Sequence, residues 1–184
     1  MVDFINPVDT FFVNFFSQFT THYSIELFVA ILLYLVYFYV FYAFYYFFRN
    51  KNHKSFFHLF TTIMIGFLIV FSLKYYVNRP RPYETFHLPN VIVEKNDPSF
   101  PSAHTFLGFF IYYFISKIAK LKRFKTFILL HLLILIPLGS MLIGVHYFTD
   151  VLAGAFIGFI LPRIISEEVI VKLYSKTFLG RFFK

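Results

Sequence analysis

Residues 27–48 read LFVAILLYLVYFYVFYAFYYFF, a run of 22 residues without a formal charge. An α-helix rises about 1.5 Å per residue, so this run is long enough to cross the hydrocarbon core of a bilayer, about 30 Å thick. The whole chain has the same character, because 59% of its 184 residues are hydrophobic and 14% are charged. A soluble domain carries about a quarter charged residues. The sequence therefore predicts an integral membrane protein with a single domain, residues 1–184.

Four further apolar segments follow, at residues 55–73, 103–119, 126–145 and 147–165. Each has 17 to 20 residues, which is enough for a helix to span a bilayer. Together with residues 27–48 they predict an all-α, polytopic transmembrane helical bundle of about five spanning helices, with residues 25–165 as its core. Pro137 and Gly139 predict a kink in the fourth of them.

The two ends of the chain have a different pattern. In the N-terminal segment, residues 1–24, phenylalanines recur at helical spacing between Asp9 and Thr21. This predicts an amphipathic helix lying in the membrane interface. The C-terminal segment, residues 166–184, mixes apolar residues with lysine and arginine, which predicts a basic tail on the cytoplasmic leaflet.

The charges predict the orientation of the bundle. If five helices cross the membrane, 13 of the 17 lysine and arginine side chains lie on the side of the C-terminus. The positive-inside rule then places the C-terminus in the cytoplasm and the N-terminus outside. The chain contains no cysteine, which excludes disulfides, thiolate catalysis and cysteine-ligated zinc.

A histidine and an aspartate at the predicted outer face are the first candidates for chemistry. His146 and Asp150 are four residues apart, so they share one face of a helix. A carboxylate beside an imidazole fixes its tautomer and raises its basicity, as a nucleophile or a general base requires. The alternative interpretation is a polar pair that caps the start of a helix.

Three cations are predicted at the same outer face: Lys74, Arg79 and Arg81. Each arginine precedes a proline, which restricts its backbone and favours a preorganised anion site. The alternative is a loose cationic patch for lipid headgroups. Phosphoryl transfer depends above all on neutralising charge and on positioning, and these cations would do for it what a metal ion does elsewhere.

The start of the third apolar segment adds a second phosphate-binding element. Ser102 stands at the N-cap position, and the amides of Ala103 and His104 open the helix. Unpaired amides and a positive potential make a helix N-terminus suitable for phosphate. A metal site formed by His104, His146 and Asp150 is another interpretation, which the neighbouring cations disfavour.

The order and spacing of these residues resemble the type 2 phosphatidic acid phosphatase family. That family has the pattern K-x6-R-P, P-S-G-H and S-R-x5-H-x3-D. This chain has Lys74-x6-Arg81-Pro82, then Pro101-Ser102-Ala103-His104, then His146-x3-Asp150, and the resemblance spans residues 55–165.

The resemblance implies roles for these residues. His146 would be the nucleophile that forms a phosphohistidine, and Asp150 would orient it. His104 would protonate the leaving group and later activate water. Lys74, Arg81 and Ser102 would hold the phosphate oxygens, together with the amide of Ala103. The resemblance also implies a reaction without a metal or another cofactor.

Two positions depart from the family pattern. Ala103 replaces a glycine, which would disfavour a positive φ there. The serine-arginine pair of the third motif falls on Gly139 and Ser140, so one phosphate-binding arginine is missing. We expect Arg79 to compensate in part by contacting the phosphate, and the alternative is that Arg79 only contacts lipid headgroups.

The predicted function is a phosphatase acting on a lipid phosphate or pyrophosphate at the outer leaflet of a bacterial inner membrane. Candidate substrates are phosphatidate, phosphatidylglycerol phosphate, a polyprenyl pyrophosphate and lipid A. A lipid phosphotransferase, and a non-catalytic lipid-phosphate binder or transporter, are the alternatives. The expected partners are the membrane and its lipids, with no nucleic acid, and the pattern favours no particular oligomeric state.

Overall fold

The computed structural model describes residues 5–19, 23–88 and 96–177, and within these ranges the regular structure is helical, without a strand. The predicted all-α bundle is therefore confirmed. The helices are α1 (Pro7–Ser17), α2 (Tyr23–Arg49), α3 (His53–Val77), α4 (Pro82–Thr85), α5 (Ala103–Ile115), α6 (Lys125–Leu130), α7 (Ile136–Leu142), α8 (Phe148–Ile164) and α9 (Glu167–Ser175). A 3₁₀ helix at Ala119–Phe124 precedes α6, and a π-helical turn at His131–Leu135 joins α6 to α7.

Three described segments are long and apolar enough to cross a membrane: Tyr23–Arg49, His53–Thr85 and Lys120–Leu142. A fourth is added if α8 and α9, which are bent by 54° at the break between them, count as one span. Helix α5 has 13 residues, a length of about 20 Å. It ends at Ile115 rather than at the predicted residue 119, because Ser116 donates its hydroxyl to the Tyr113 carbonyl and Ile118 is extended. Five crossings stay a prediction.

Helix α3 continues beyond its predicted end at residue 73. The sequence pattern stopped at Lys74 because a charged side chain is costly inside a membrane. In the structure the helix passes through Lys74 to Val77, and Asn78 ends it with a left-handed φ of 48°. The lysine is nevertheless buried, because its ammonium group finds an anionic partner in a neighbouring loop, Asp97.

The predicted irregularity at Pro137 takes the form of the π-helical turn immediately before it. Pro137 has no amide hydrogen to donate to the carbonyl four residues earlier. The backbone accommodates this by widening to π geometry over His131–Leu135. The His131 imidazole lies 3.0 Å from the Leu32 carbonyl, which ties this turn to α2.

Helices α5 and α8 are in backbone contact along two glycines spaced four residues apart. A methyl group on Gly154 would overlap the Ser102 carbonyl, and one on Gly158 would overlap the Phe106 carbonyl. Small residues at this spacing allow apolar helices to approach each other closely. Since the helices pack with their N-terminal ends together, Ser102 at the start of α5 lies beside Asp150 in the first turn of α8.

Helix α1 packs against the same end of the bundle. The Phe12 ring stacks on Phe148 with centroids 4.4 Å apart, and Asp9 and Val13 are buried. Phe11 and Phe15 stay exposed, which gives the amphipathic helix that the sequence predicts. Of the predicted range 9–21, residues 20 and 21 lie outside the described residues.

The C-terminal segment begins with α9, whose Ile170 is buried while Val169 and Leu173 are exposed. Glu167, in its first turn, pairs with Lys117 at 3.6 Å. Over Glu167–Ser175 the tail is therefore a helix that buries one apolar side chain and leaves two others exposed. Residues 178–184 of the predicted tail lie outside the described residues.

Candidate active site

The first motif lies at the end of α3 and in the segment that follows it. Lys74 occupies the last turn of α3, and Arg81 is the N-cap residue of α4, with φ −83° and ψ 155°. The extended conformation predicted for a residue before proline is therefore confirmed at Arg81. Both cationic side chains are 1% exposed.

Asp97 binds both cations of this motif, although the sequence analysis did not single it out. Its Oδ2 lies 3.0 Å from Lys74 Nζ, and its Oδ1 accepts a hydrogen bond of 2.8 Å from Arg81 Nη2. Burial by itself would raise the pKa of this carboxyl, but the charges of Arg81 and Lys74 outweigh burial and lower the pKa below 3.8. The two cations therefore form a place for an oxyanion, which the Asp97 carboxylate fills.

The third motif places a histidine beside a fully buried aspartate. His146 lies in the turn before α8, so the prediction that His146 and Asp150 share one face of a helix is wrong. His146 Nδ1 lies 3.6 Å from Asp150 Oδ2, which is longer than a hydrogen bond but close enough for the carboxylate to act on the imidazole. The Asp150 carboxylate accepts hydrogen bonds from the backbone and from Arg79. Oδ2 accepts from the Tyr147 amide at 2.9 Å, and Oδ1 accepts from Arg79 Nη1 at 2.7 Å.

The turn before His146 depends on Gly144, which has a φ of 68°. A side chain there would be strained and would also overlap Leu88. The backbone continues with the Val145 and His146 amides donating to the Ser140 carbonyl, at 3.2 Å and 3.3 Å. This turn fixes the backbone position from which the His146 side chain extends.

The second motif opens α5. Ser102 is its N-cap residue and its Oγ accepts from the Thr105 amide at 3.4 Å, so the predicted N-cap is confirmed. His104 is buried, and its ring meets the edges of Tyr34 and Tyr37 on α2, with centroids 5.6 Å and 5.9 Å apart. Ala103 is the first residue of the helix and has a negative φ. Alanine therefore takes the place of the family's glycine without backbone strain.

Hydrogen bonds between motifs bring all the predicted site residues to one end of the bundle. The Ser102 amide donates to the Asp150 carbonyl at 3.0 Å, which joins the second motif to the third. Arg81 Nη1 donates to the Val145 carbonyl at 2.7 Å, which joins the first motif to the third. The cations, His146 and the start of α5, which carries His104, therefore lie at one end of the bundle.

Arg79 lies on the Asp150 side of this site. Its Nη1 donates to Asp150 and to Thr149 Oγ1, at 2.7 Å and 2.8 Å, and its Nη2 donates to Asp9 Oδ2 at 2.6 Å. The guanidinium carbon lies 3.9 Å from the centre of the Tyr147 ring. Direct contact between Arg79 and a phosphate stays a prediction.

Asp9 is a second carboxylate that the sequence analysis did not single out. It is fully buried at the contact between α1 and α8. A signal was available, because Asp9 shares a helical face with Phe12, Val13 and Phe16. A single charge on the apolar face of an amphipathic helix indicates a buried partner of opposite charge.

Ser140, at the position of the missing arginine, has a structural contact. Its hydroxyl donates to the Pro137 carbonyl at 2.8 Å, within the turn of α7. Its side chain is fully buried.

Within residues 5–19, 23–88 and 96–177, no three His, Asp or Glu side chains are grouped so that they could hold a metal ion.

A solved structure and a family model match this chain. The crystal structure of Aquifex aeolicus LpxE superposes with a TM-score of 0.66 and 25% sequence identity, over 89% of this chain and 97% of the LpxE chain. No curated protein matches the chain. The sequence pattern of the PAP2 superfamily matches residues 55–167, a stretch that contains all three motifs. These findings support a phosphatase of the membrane-lipid type. Since the match covers more than half of its length, the chain belongs to the PAP2 superfamily.

Proposed function

We propose that this protein removes phosphate from a lipid phosphate or pyrophosphate at the outer leaflet of a bacterial inner membrane, through a phosphohistidine on His146. The observation that carries the proposal is the pair of buried cations, Lys74 and Arg81, that jointly hold a carboxylate beside the turn that presents His146. A phosphate oxygen is an anionic acceptor like that carboxylate oxygen, and lysine and arginine bind both through charge-assisted hydrogen bonds.

His146 serves as the nucleophile in this proposal. Because its Nδ1 faces Asp150, the proton resides there and Nε2 carries the free lone pair. Nε2 attacks phosphorus, a P–N bond forms, and the P–O bond to the lipid breaks. The cations hold the other phosphate oxygens, and their fixed charges stabilise the transition state.

His104 transfers the proton in both steps, formation of the phosphohistidine and its hydrolysis. In its acid form it gives a proton to the leaving lipid oxygen, which departs as an alcohol or as a lipid phosphate. The neutral imidazole then takes a proton from water as that water attacks the phosphohistidine. The P–N bond breaks, inorganic phosphate leaves, and both histidines return to their starting states.

The phosphate-binding set comprises Lys74, Arg81, Ser102 and the amide of Ala103. Arg79 is a partner of Asp150 in this scheme rather than a fifth phosphate ligand, so the scheme replaces the phosphate contact expected of Arg79 from the sequence. Its Nη groups are already engaged by Asp9, Thr149 and Asp150. The charge of the phosphate is then neutralised by Lys74 and Arg81, so the proposed reaction needs no metal ion.

We propose five crossings with the N-terminus outside. Helix α5 is short, but its side chains Phe106, Phe110 and Phe114 are fully buried by neighbouring helices rather than by lipid. A helix surrounded by others does not need to match the bilayer thickness by itself. The site then opens to the outer leaflet, where Tyr34 and Tyr37 of α2 flank His104.

Phosphate release by purified protein in detergent tests the function. The panel comprises phosphatidate, phosphatidylglycerol phosphate, a polyprenyl pyrophosphate and lipid A, each with and without a chelator. We expect release from at least one lipid, loss of release in His146→Ala, and phosphate trapped on His146 after acid-free denaturation. The control is His87→Asn, an exposed histidine with a φ of 48°, which asparagine tolerates. Phosphate trapped on His104 instead would refute the assignment of the nucleophile.

A further inference from the structure

We propose that Asp9, on α1, is a positioning residue for the reaction: acting through Arg79 and Thr149, it fixes Asp150 and preserves the negative charge that Asp150 presents to His146. The proposal rests on the function proposed above. Helix α1 lies outside the segment that matches the PAP2 superfamily, residues 55–167, so the family pattern does not assign this role.

The Asp9 carboxylate is fully buried and accepts three hydrogen bonds across the helix contact. Oδ2 accepts from Arg79 Nη2 at 2.6 Å and from Thr149 Oγ1 at 2.8 Å. Oδ1 accepts from the Thr149 amide at 3.0 Å. Thr149 immediately precedes Asp150, so Asp9 holds both the guanidinium and the backbone that locate the catalytic carboxylate.

The net charge of Asp9, Arg79 and Asp150 determines how much negative charge the His146 imidazole experiences. Arg79 lies between two carboxylates, those of Asp9 and Asp150, so the three groups together carry one net negative charge. Without Asp9, the guanidinium would balance Asp150 alone and the group would be neutral. Asp9 therefore offsets Arg79, and Asp150 stays effectively anionic towards His146, 3.6 Å away.

Other charged groups around His146 do not replace Asp9. Arg81 contacts the Val145 carbonyl from the segment after α3, and it is paired with Asp97, as is Lys74. Those pairs belong to the phosphate-binding side of the site. Among the described contacts of Arg79, the carboxylates are Asp9 and Asp150.

Helix α1 is also held by contacts that do not involve Asp9. The effect of Asp9 on Asp150 can therefore be tested separately from the docking of α1. The Phe12 ring stacks on Phe148, and Val13 is buried. An Asp9→Asn side chain has the same size, and its carbonyl oxygen can still accept from the Thr149 amide. This variant therefore removes the charge while it retains the shape of the contact.

The kinetic test compares Asp9→Asn with the wild-type protein on whichever lipid the wild type hydrolyses. We expect kcat to fall by about tenfold or more, because a charge-assisted hydrogen bond to a buried group is lost, while KM changes little. The acid limb of the pH profile should move to lower pH, since a less negative surrounding stabilises protonated His146 less. Glu168→Gln, which removes an exposed carboxylate from α9, should match the wild type in all three readouts.

A hydrogen-exchange test, independent of activity, measures whether α1 remains docked while the stack of Phe12 on Phe148 stays in place. We expect the backbone amides of α1 to exchange at the same rate in the wild type and in Asp9→Asn. Amides of α1 that exchange freely in the wild type, or much faster in Asp9→Asn, would show that Asp9 does not act by positioning Asp150.

The results also separate this proposal from the proposed function. An active wild type with an equally active Asp9→Asn overturns the role of Asp9 and leaves the phosphatase assignment standing. A wild type that releases phosphate from none of the lipids overturns both. An active wild type supports the proposal if Asp9→Asn has a reduced kcat, an unchanged KM, a shifted acid limb and unchanged hydrogen exchange in α1.

Discussion

Replacing Asp97 with asparagine should make inorganic phosphate a stronger inhibitor of this protein. Asp97 pairs with Lys74 Nζ at 3.0 Å and with Arg81 Nη2 at 2.8 Å, and these are the cations proposed to bind the substrate phosphate. A phosphate must therefore displace the Asp97 carboxylate before it can bind. The Asp97→Asn variant retains the loop contacts made by the backbone, because Arg81 Nε donates to the Asp97 carbonyl at 2.9 Å.

The magnitude follows from the two contacts that change. Replacing the carboxylate with an amide leaves the donors charged but removes the attraction between opposite charges, which is worth roughly 1 kcal/mol for each contact. The Asp97 side chain is 32% exposed, so solvent reduces the sum of the two. We expect a net effect of about 1.4 kcal/mol, which corresponds to a roughly tenfold lower inhibition constant for phosphate.

The pH dependence of the ion pairs has a defined sign. The pKa of Asp97 is lowered in the folded protein, so the stabilisation by these pairs is present above its ordinary value of 3.8. It is lost as the pH falls through the lowered pKa. At neutral pH the carboxylate is charged, and Asp97→Asn should therefore also lower the melting temperature in the absence of phosphate, since Lys74 and Arg81 lose their anion.

The assay measures phosphate inhibition of lipid hydrolysis at neutral pH, together with the rise in melting temperature that phosphate causes. Glu84→Gln is the matched control, because Glu84 is exposed and accepts from the Arg81 amide at 2.8 Å rather than from the guanidinium. The control should behave like the wild type. Equal inhibition constants for Asp97→Asn and the wild type would show that Asp97 and phosphate do not compete for these cations.

Three other predictions follow from the site. His146→Ala should abolish lipid hydrolysis, because it removes the nucleophile, and Asp150→Asn should reduce hydrolysis less, because it removes only the orientation of the nucleophile. Single-turnover rates of the two variants measure the difference. An inverted order would mean that the two roles are wrongly assigned. Arg79→Ala should lower kcat by the same factor in the wild type and in the Ser140→Arg background, because Arg79 acts on Asp150. If the loss is smaller in the Ser140→Arg background, Arg79 instead replaces the missing phosphate-binding arginine. A tag after Lys184 should be inaccessible from outside intact cells, as the distribution of 13 of 17 cations predicts, and outside access would reverse the topology.

Much of the fold follows from local patterns along the chain. A bilayer requires about 20 apolar residues per crossing, and residues 27–48 meet that requirement whatever packs against them. The N-cap at Ser102 and the extended backbone at Arg81 are equally local, since they depend on a hydroxyl or a proline one to three residues away. The three motifs are short as well, so their residues and their order could be read without a structure.

The tertiary structure decided which distant residues meet. The sequence pattern ended the second apolar segment at Lys74, because a lone ammonium group is costly in a membrane, whereas the folded chain buries that lysine beside Asp97. Asp9 and Arg79 are 70 residues apart and join only because α1 packs onto the start of α8. The sequence does not show which charged residue will pair with which. Helix packing decides the pairing by bringing two buried charges within hydrogen-bond distance.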